Sequence, residues 1–321
     1  MFTNPGIDVH DRPEWVFTKV RNTHSTATAA TVAGSIAVGA GPGPIAMTLD
    51  GDRLFVSNRD SDNLTVVATG TDTVVATIPV GDAPAGIAIR PDGSELWVAN
   101  RSAGTVSIVN VGSLTVTATL TVGYLPVNIT FSHDGVRAYI VHGGTDVWVL
   151  DAATHALLGT IPAADVGQWL RISADDSTGY LTLVGISSTD FYTQIVDLDT
   201  LQIIGQIPGA GVYVFSAFSP TAWGISAPDT VAFVNLPRAQ VRKTFSASLR
   251  PNDMALSPDG ERLLTTHDFS HLLTIRHAVQ GALIQSLAMP GEPTGVVVAQ
   301  AGTKAYVSQL NLGTIAIVSL P

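Results

Sequence analysis

Two histidines stand where the chain could transfer protons. His142 ends an apolar stretch in YIVHGGTD, and His267 lies in THDFSHL beside Asp268 and His271. Histidine is the side chain best suited to acid-base work near neutral pH, and a nearby carboxylate can orient its ring. We therefore predict His142, His267 and Asp268 as catalytic residues and His271 as a substrate contact. The alternative is that each is a structural or solvated loop histidine.

Polar residues recur at equivalent places along the chain. The residues that end seven similar stretches are Asn58, Asn100, His142, Val184, Ser226, His267 and Gln309. Arg59 and Arg101 follow the two asparagines directly, and a guanidinium there can bind a carboxylate or a polarised carbonyl. We predict Asn58, Arg59, Asn100, Arg101 and Gln309 as substrate-binding residues. Alternatively, the amides cap loop backbones and the arginines point into solvent.

The sequence offers little support for a metal or cofactor site. It contains no cysteine, which excludes thiolate ligands. The run NRDSDN (58–63) begins like a calcium loop but lacks the glycine and glutamate that complete one. The spacing of His267 and His271 would place two metal ligands on one face of a helix, but these residues lie in a predicted loop. Since phosphate-loop, dinucleotide and Gly-x-Ser-x-Gly motifs are also missing, we predict no metal and no cofactor.

A repeat of short strands must position these residues. Its clearest copies are GPIAMTLDGDRLFVSN (43–58), AGIAIRPDGSELWVAN (85–100), VNITFSHDGVRAYIVH (127–142) and NDMALSPDGERLLTTH (252–267). Weaker copies are WLRISADDSTGYLTLV (169–184), FSAFSPTAWGIS (215–226) and TGVVVAQAGTKAYVSQ (294–309). Each copy predicts four strands, with Asp-Gly pairs that suit tight hairpins. Such units, repeating about every 40 to 45 residues, predict an all-β seven-bladed propeller with four-stranded antiparallel blades.

The last copy is one strand short. It has three predicted strands before Pro321. The segment AATVAGSIAVG (29–39) resembles the sequence of a fourth strand, TVTATLTVG (115–123). We expect this N-terminal strand to complete the last blade and close the ring. The predicted organisation is a leader segment at 1–28 and one propeller at 29–321. Its copies lie near 40–81, 82–123, 124–164, 165–209, 210–248, 249–291, and 292–321 plus 29–39.

Three stretches carry a family resemblance. LFVSN, LWVANRSAGTVSIVN and AYVSQLNLGTIAIV resemble the YVTN-type repeat of seven-bladed β-propellers, from about residue 29 to the end. The fourth and fifth copies depart from it. The architecture is similar to that of streptogramin lyases and propeller lactonases. The resemblance implies the fold, but it implies an activity only by analogy, because this fold hosts many functions.

The two divergent copies are rich in aromatic residues. The interval between repeats lengthens from Leu170 to Ser216, through VGISSTDFYTQ (184–194). Loops that gather at one mouth of the channel would carry Trp169, Phe191, Tyr192, Tyr213 and Phe215, together with Tyr124 from an earlier blade. We predict that they form an apolar wall for a small organic ligand. Alternatively, Trp169 and Phe215 plug the channel or pack between blades.

Composition and charge restrict the partners. The formal net charge is −10, which repels phosphate backbones, so we expect no nucleic-acid partner. The uncharged stretch at 32–49 is about long enough to span a membrane, but its glycines and prolines oppose a helix, so we expect no membrane partner. The first twenty residues do not resemble a secretory signal. With Met1 as the native start we expect a cytoplasmic protein; a trimmed chain would be periplasmic or secreted.

Two functions are compatible with these observations. The first is an enzyme without metal or redox cofactor that acts on a mainly apolar small molecule at the channel mouth. It would use cyclisation, elimination or lactone chemistry with histidine assistance. The second is a non-catalytic scaffold that presents one face of the ring to a protein or peptide. The histidines and the aromatic divergence favour the enzyme.

Overall fold

The protein is built from strands alone in the part of the chain that the structure describes. The computed structural model describes residues 29–144, 146–185, 191–216, 220–227, 229–248 and 250–321. These residues form 28 strands in seven antiparallel sheets of four. Within those ranges there is no helix of the length and apolar character that crossing a membrane requires. The predicted leader at 1–28 lies outside the described residues.

The strands follow the predicted repeat. The first strand is β1 (Thr31–Ala37), and blades 1 to 3 contain β2 (Pro42–Met47), β3 (Arg53–Asn58), β4 (Asn63–Ala68) and β5 (Thr73–Pro79); β6 (Pro84–Ile89), β7 (Glu95–Asn100), β8 (Thr105–Asn110) and β9 (Thr115–Thr121); and β10 (Pro126–Phe131), β11 (Arg137–His142), β12 (Asp146–Asp151) and β13 (Leu157–Pro162). Blades 4 and 5 contain β14 (Val166–Ile172), β15 (Thr178–Val184), β16 (Phe191–Asp197) and β17 (Gln202–Ile207); and β18 (Gly211–Phe215), β19 (Thr221–Ala227), β20 (Thr230–Asn235) and β21 (Gln240–Ser246). Blades 6 and 7 contain β22 (Pro251–Leu256), β23 (Arg262–His267), β24 (Leu272–His277) and β25 (Leu283–Ala288); and β26 (Pro293–Val298), β27 (Lys304–Gln309) and β28 (Thr314–Ser319).

The N-terminal strand closes the ring, as predicted. β1 pairs antiparallel with β28, from Thr31 opposite Ser319 to Ala37 opposite Thr314, and forms the outer strand of blade 7. The first strand of every blade contacts the first strands of its two neighbours, including β2 with β26. The chain is therefore a seven-bladed β-propeller, and in blade 7 the first strand of the chain pairs with the last one.

The core lies between neighbouring blades. The second and third strands, such as β3 and β4, are buried along most of their length, because both of their faces are covered. The outer strands alternate exposed and half-buried residues, as β17 does. Apolar clusters therefore cross the blade boundaries. One of them joins Phe55 and Leu64 of blade 1 to Leu96 and Val98 of blade 2.

The two ends of the ring carry different loops. The Asp-Gly turns join first and second strands at one end, and their four glycines have φ values between +67° and +78°. Asp92 Oδ1 accepts the N–H of Ser94 at 2.9 Å there, so these pairs act as turns, as predicted. The opposite end, which we call the mouth, carries the loops between second and third strands and the loops that connect the blades.

The register of blade 5 differs from the sequence alignment. The last pair before the turn between the first and second strands is Phe215 with Ala222 in blade 5 and Met47 with Leu54 in blade 1. Counted back from that pair, Tyr213, and not Ser216, takes the place that Ile45 holds in blade 1. The interval that begins at Leu170 therefore ends at Tyr213, which makes it close in length to the intervals between the regular copies. The physical reason is that FSAFSP lacks the Asp-Gly turn that fixes the register of the regular copies.

Candidate functional site

The predicted amide residues lie inside their own blades. Asn58 and Asn100 are fully buried at the ends of second strands, and Gln309 is almost so. Asn58 Nδ2 donates to Asn63 Oδ1 at 2.8 Å and to Thr65 Oγ1 at 2.9 Å, and Asn100 binds the third strand of blade 2 in the same way. These bonds tie second strands to third strands, which supports a structural role. Substrate binding by the three amides stays a prediction.

The two predicted catalytic histidines are buried in separate blades. His267 Nδ1 lies 3.0 Å from the carbonyl oxygen of Ser248, and Nε2 lies 2.9 Å from Thr274 Oγ1. Burial lowers the pKa of His267 to about 4, so the ring is neutral at pH 7. His142 Nε2 lies 2.8 Å from the carbonyl oxygen of Val122. Each ring therefore fastens a second strand to the loop that enters its blade, and catalysis by either stays a prediction.

Asp268 and His271 do not join the His267 ring. Asp268 Oδ1 accepts the N–H of Phe269 at 2.8 Å, so it makes a turn contact instead of the orienting contact that we expected. His271 is exposed and has a φ of +52°. Within the described ranges, no group of three or more His, Cys, Asp and Glu side chains is arranged to hold a metal ion.

Three other predicted contacts are exposed over blades 1 to 3. Arg59 pairs with its neighbour Asp60, with Nε 2.7 Å from Oδ1. Arg101 is exposed, and Tyr124 keeps 78% of its surface accessible. The structure does not gather these side chains with the predicted aromatic residues of blades 4 and 5.

The structure does bring Trp169 and Phe191 together in a pocket at the mouth. This mouth pocket has a volume of about 510 Å³ and lies between blades 4, 5 and 6. Its lining residues are Gln168, Trp169, Val184, Phe191, Ile225, Arg250, Pro251 and Asn252. The ring centre of Trp169 lies 6.1 Å from that of Phe191 and 4.6 Å from that of Tyr213. Trp169 and Phe191 form an aromatic wall of the pocket with tilted rings, and Tyr213 packs against Trp169 from the side of the channel.

The remaining aromatic residues of the prediction point elsewhere. Tyr192 donates its hydroxyl to Asp165 at 2.6 Å, and burial together with that carboxylate raises the pKa of Tyr192 to about 12. Phe215 packs edge-on against Tyr180, with ring centres 5.5 Å apart. Phe215 ends β18, which runs away from the mouth, so the expectation that it lies at the mouth is corrected by the blade 5 register.

The mouth pocket also has a polar side. The guanidinium carbon of Arg250 lies 4.5 Å from the ring centre of Phe269, and this stacking holds the cation at the rim. The Asn252 side-chain amide donates to the carbonyl oxygen of Thr294 at 3.4 Å. With the amide of Gln168, the pocket can offer hydrogen-bond donors to a carbonyl or ester oxygen beside its aromatic wall.

A smaller cavity lies beside the mouth pocket in the channel. This channel cavity has a volume of about 270 Å³, and Asn252 lines both it and the mouth pocket. Tyr213 Oη donates to Asp253 Oδ1 at 2.5 Å. Arg171 Nε donates to the carbonyl oxygen of Tyr213 at 2.7 Å, and its guanidinium carbon lies 5.2 Å from the tyrosine ring centre. Arg171, Tyr213 and Asp253 therefore connect blades 4, 5 and 6 through one polar network.

Burial shifts both Asp253 and Tyr213 toward their neutral, protonated forms. Burial raises the pKa of Asp253, while the hydrogen bonds from Tyr213 and from two backbone N–H groups oppose that rise. Burial and the nearby carboxylate raise the pKa of Tyr213 well above its usual value. Strongly perturbed groups of this kind in a cleft are candidates for a functional site.

Sequence reasoning missed Asp253 and Arg171, although the repeat contained a signal for the first. Asp253 in NDMAL aligns with Gly86 in AGIAI and with Gly295 in TGVVV. A carboxylate in the apolar inner strand of one copy breaks the pattern of its neighbours, and such breaks are expected at functional sites. Arg171 follows a tryptophan and a leucine in a weak copy and gave no comparable signal.

Comparison with known proteins agrees with the fold. A family model described as lactonase, 7-bladed β-propeller, matches residues 10–142. The chain resembles that family as far as the end of β11, the second strand of blade 3. The residues of the mouth pocket and of the Arg171, Tyr213 and Asp253 network lie beyond this match. No curated protein matches the chain.

Two solved structures illustrate how general the architecture is. Hydrazine synthase of Kuenenia stuttgartiensis aligns with a TM-score of 0.75 and 19% identity, covering 94% of this chain and 98% of that one. The β-propeller domain of Cps50 (Swd1) of Myceliophteria thermophila aligns with a TM-score of 0.78 and 13% identity, covering 91% and 100%. At these identities the likeness concerns the fold alone.

Proposed function

We propose that the protein is an enzyme that binds a mainly apolar lactone in the mouth pocket and opens its ring by hydrolysis. The observation that carries this proposal is the pocket of about 510 Å³, which combines the Trp169 and Phe191 wall with the polar groups of Gln168, Arg250 and Asn252. A pocket with mostly apolar walls and a few convergent polar groups is the usual form of a small-molecule site.

The family match adds independent but coarser support. The match to the lactonase propeller model ends in the second strand of blade 3, whereas the pocket belongs to blades 4 to 6. No residue role is carried over from that family. The match raises lactone chemistry above cyclisation and elimination, which are the other reaction types compatible with a channel-mouth enzyme.

The proposed reaction adds one water molecule to the ester carbonyl of the lactone. The new bond joins the water oxygen to the carbonyl carbon, and the ring C–O bond breaks. The products are a hydroxy acid, which ionises near neutral pH, and one released proton. Arg250 and Asn252 would hold the carbonyl oxygen, where donors stabilise the charge that develops during attack.

The first test is proton release from a panel of apolar lactones, measured in a pH-stat with the purified protein. The wild type should open at least one class of lactone with saturation kinetics. Phe191→Ala should raise KM by about tenfold or more, because removing a buried aromatic contact costs on the order of 1 to 3 kcal/mol. Leu312→Ala removes an exposed apolar side chain from the mouth of blade 7 and serves as the matched control. Absence of turnover across the panel would reject the proposal.

A non-catalytic scaffold is the second candidate. Pairs of exposed apolar residues begin the outer strands of several blades, including Val74 and Val75, and Leu283 and Ile284. Apolar side chains on an exposed face favour contact with a protein. This function predicts no lactone turnover. It also predicts that Leu283→Lys would weaken binding of the partner protein, whereas Phe191→Ala would leave that binding unchanged.

A further inference from the structure

We propose that Asp253 is the general base of the lactone hydrolysis and that Tyr213 positions its carboxylate. This inference rests on the proposed function and adds the group that activates water. His267 uses both ring nitrogens in structural bonds, and His142 uses Nε2 in one and lies with Nδ1 3.5 Å from Asp146 Oδ1 in blade 3, away from the mouth pocket. Asp253 instead lines the channel cavity beside the mouth pocket.

The surroundings of Asp253 hold its carboxylate in one orientation. Oδ1 accepts from Tyr213 Oη and from the N–H of Met254 at 2.8 Å, and Oδ2 accepts the N–H of Val296 at 2.7 Å. The backbone N–H of Asp253 donates to Thr266 Oγ1 at 3.0 Å. These contacts come from blades 5, 6 and 7, so the carboxylate is fixed by three blades at once. A catalytic carboxylate that several hydrogen bonds hold in one orientation is preorganised for its reaction.

Access to substrate comes through Asn252. Its side chain lines both cavities, and its neighbour Asp253 lies on the channel side. Trp169, which lines the mouth pocket, packs against Tyr213, which lines the channel cavity, with their ring centres 4.6 Å apart. A lactone seated on the aromatic wall would therefore present its ester toward a water molecule in the channel cavity.

The proton balance of the step is complete. Asp253 takes a proton from the water as the water oxygen bonds to the carbonyl carbon, and the carbonyl electron pair moves to its oxygen. When that pair returns, the ring C–O bond breaks and the departing alkoxide receives the proton from Asp253. The carboxylate of Asp253 is restored, and the new carboxylic acid releases its proton to solvent. No oxidant, metal or second substrate takes part in this balance.

The charged and titratable groups facing Asp253 set its protonation. Among the described residues these are Tyr213 on β18 and Arg171 on β14, while β23 and β26 contribute only the hydroxyl of Thr266 and the N–H of Val296. Burial raises the pKa of Asp253, and the Tyr213 hydrogen bond lowers it. A base must be ionised, so activity should fall as pH drops through this raised pKa, and losing the Tyr213 hydroxyl should move that fall to higher pH.

The test measures kcat/KM against pH for the wild type, Asp253→Asn and Tyr213→Phe, with the best lactone of the pH-stat panel. Asp253→Asn should lose about 100-fold or more at the optimum, the range of general-base effects, and still bind a non-hydrolysable cyclic ether analogue. Tyr213→Phe should keep measurable turnover with its acidic limb displaced to higher pH. This displacement keeps the proposal testable even if Asp253→Asn fails to fold.

Two control variants separate this role from stability. Tyr306→Phe removes a second tyrosine hydroxyl that binds an aspartate, 2.6 Å from Asp72 Oδ1, but at the end of the ring away from the mouth. Asp82→Asn neutralises an exposed carboxylate in a mouth loop. Neither should move the acidic limb. Wild-type turnover that survives Asp253→Asn, or an unmoved limb in Tyr213→Phe, would overturn the base assignment alone. A wild type that neither binds nor opens any lactone would overturn the proposed function as well.

Discussion

The inner strands of blades 2 and 6 differ most in chemical character at one equivalent position, which holds Gly86 in blade 2 and Asp253 in blade 6. A Cβ atom at Gly86 would lie 2.5 Å from Asn128 Cα and 2.6 Å from the carbonyl oxygen of Val127, so the neighbouring inner strand leaves no room for a side chain. In blade 6 the same position holds a carboxylate that accepts the N–H of Val296 from the next blade. Blade 2 closes the channel wall here by backbone contact, whereas blade 6 accommodates a charged side chain at the same position.

Other departures from the repeat occur at the starts of inner strands and at the ends of second strands. Proline begins the inner strands of blades 1, 2, 3, 6 and 7, but blades 4 and 5 begin with Val166 and Gly211. Asn100 ends its second strand in blade 2, and the titratable His267 stands at that place in blade 6. The departures at the strand starts therefore fall in blades 4 and 5, which line the mouth pocket together with blade 6.

The largest expected effect comes from breaking the ring on which this comparison depends. Deleting residues 1–39 removes β1, which supplies the outer edge of blade 7. We expect the cooperative unfolding transition to disappear, because blade 7 loses its fourth strand and the apolar surface that this strand covers. Circular dichroism during thermal unfolding measures this. Deletion of residues 1–28 alone is the control, and a stable, cooperative protein without residues 1–39 would refute the closure.

A carboxylate in blade 2 should be the next most damaging change. Gly86→Asp forces a side chain against the backbone of Asn128 and Val127. We expect a loss of about 3 kcal/mol or more in the free energy of unfolding, since overpacking and a buried charge add together. Denaturant titration gives the value. Asp92→Asn, in an exposed turn of the same blade, should cost much less, and equal costs for both variants would contradict the close-packing account.

The pH dependence of stability should distinguish the second-strand ends of blades 2 and 6. The folded-state pKa of His267 is lowered to about 4, so the unfolded chain, with a pKa of about 6.5, binds the proton first. The stability contribution of the neutral ring is present above about pH 6.5 and is lost as pH falls toward 4, by up to about 3 kcal/mol. Denaturation at pH 7.5 and pH 5 measures the loss.

A substitution that gives blade 6 the residue of blade 2 sharpens this prediction. His267→Asn should make the free energy of unfolding less dependent on pH over that range. The exposed His277→Gln is the matched histidine control. An unchanged pH slope in His267→Asn would show that another group causes the acid sensitivity.

The smallest effect is expected at the seam between blades 7 and 1. Asp72 accepts hydrogen bonds from Tyr306 at 2.6 Å and from Lys304 at 2.8 Å. Tyr306→Phe should lower the free energy of unfolding by about 2 kcal/mol, the usual net value of a hydrogen bond to a charged group, and should leave lactone turnover unchanged. Denaturant titration checks the first part, and a loss of several kcal/mol would mean that the seam depends on this bond.

The fold was predictable from local signals, whereas the site was not. The Asp-Gly turns and the fourth-strand sequence pattern at 29–39 are short-range signals, and they were enough to predict seven blades and the closure of the ring. Trp169 and Phe191 were found because aromatic residues stand out in weak copies. Asp253 and Arg171 belong to different blades and meet only in the closed ring. The fifth copy has no Asp-Gly turn, so the place of Tyr213 could not be read from the sequence.

The most direct test of the central claim is the ¹⁹F NMR spectrum of protein labelled with 5-fluorotryptophan. The sequence has five tryptophans, and Trp169 lines the mouth pocket while Trp97 and Trp148 belong to blades 2 and 3. Trp169→Phe assigns the pocket resonance. Addition of the best lactone of the panel, or of its cyclic ether analogue, should shift the Trp169 resonance with saturation and leave those of Trp97 and Trp148 in place. A saturable shift of Trp148, which packs against His142, with Trp169 unmoved would contradict the account and place the ligand in blade 3.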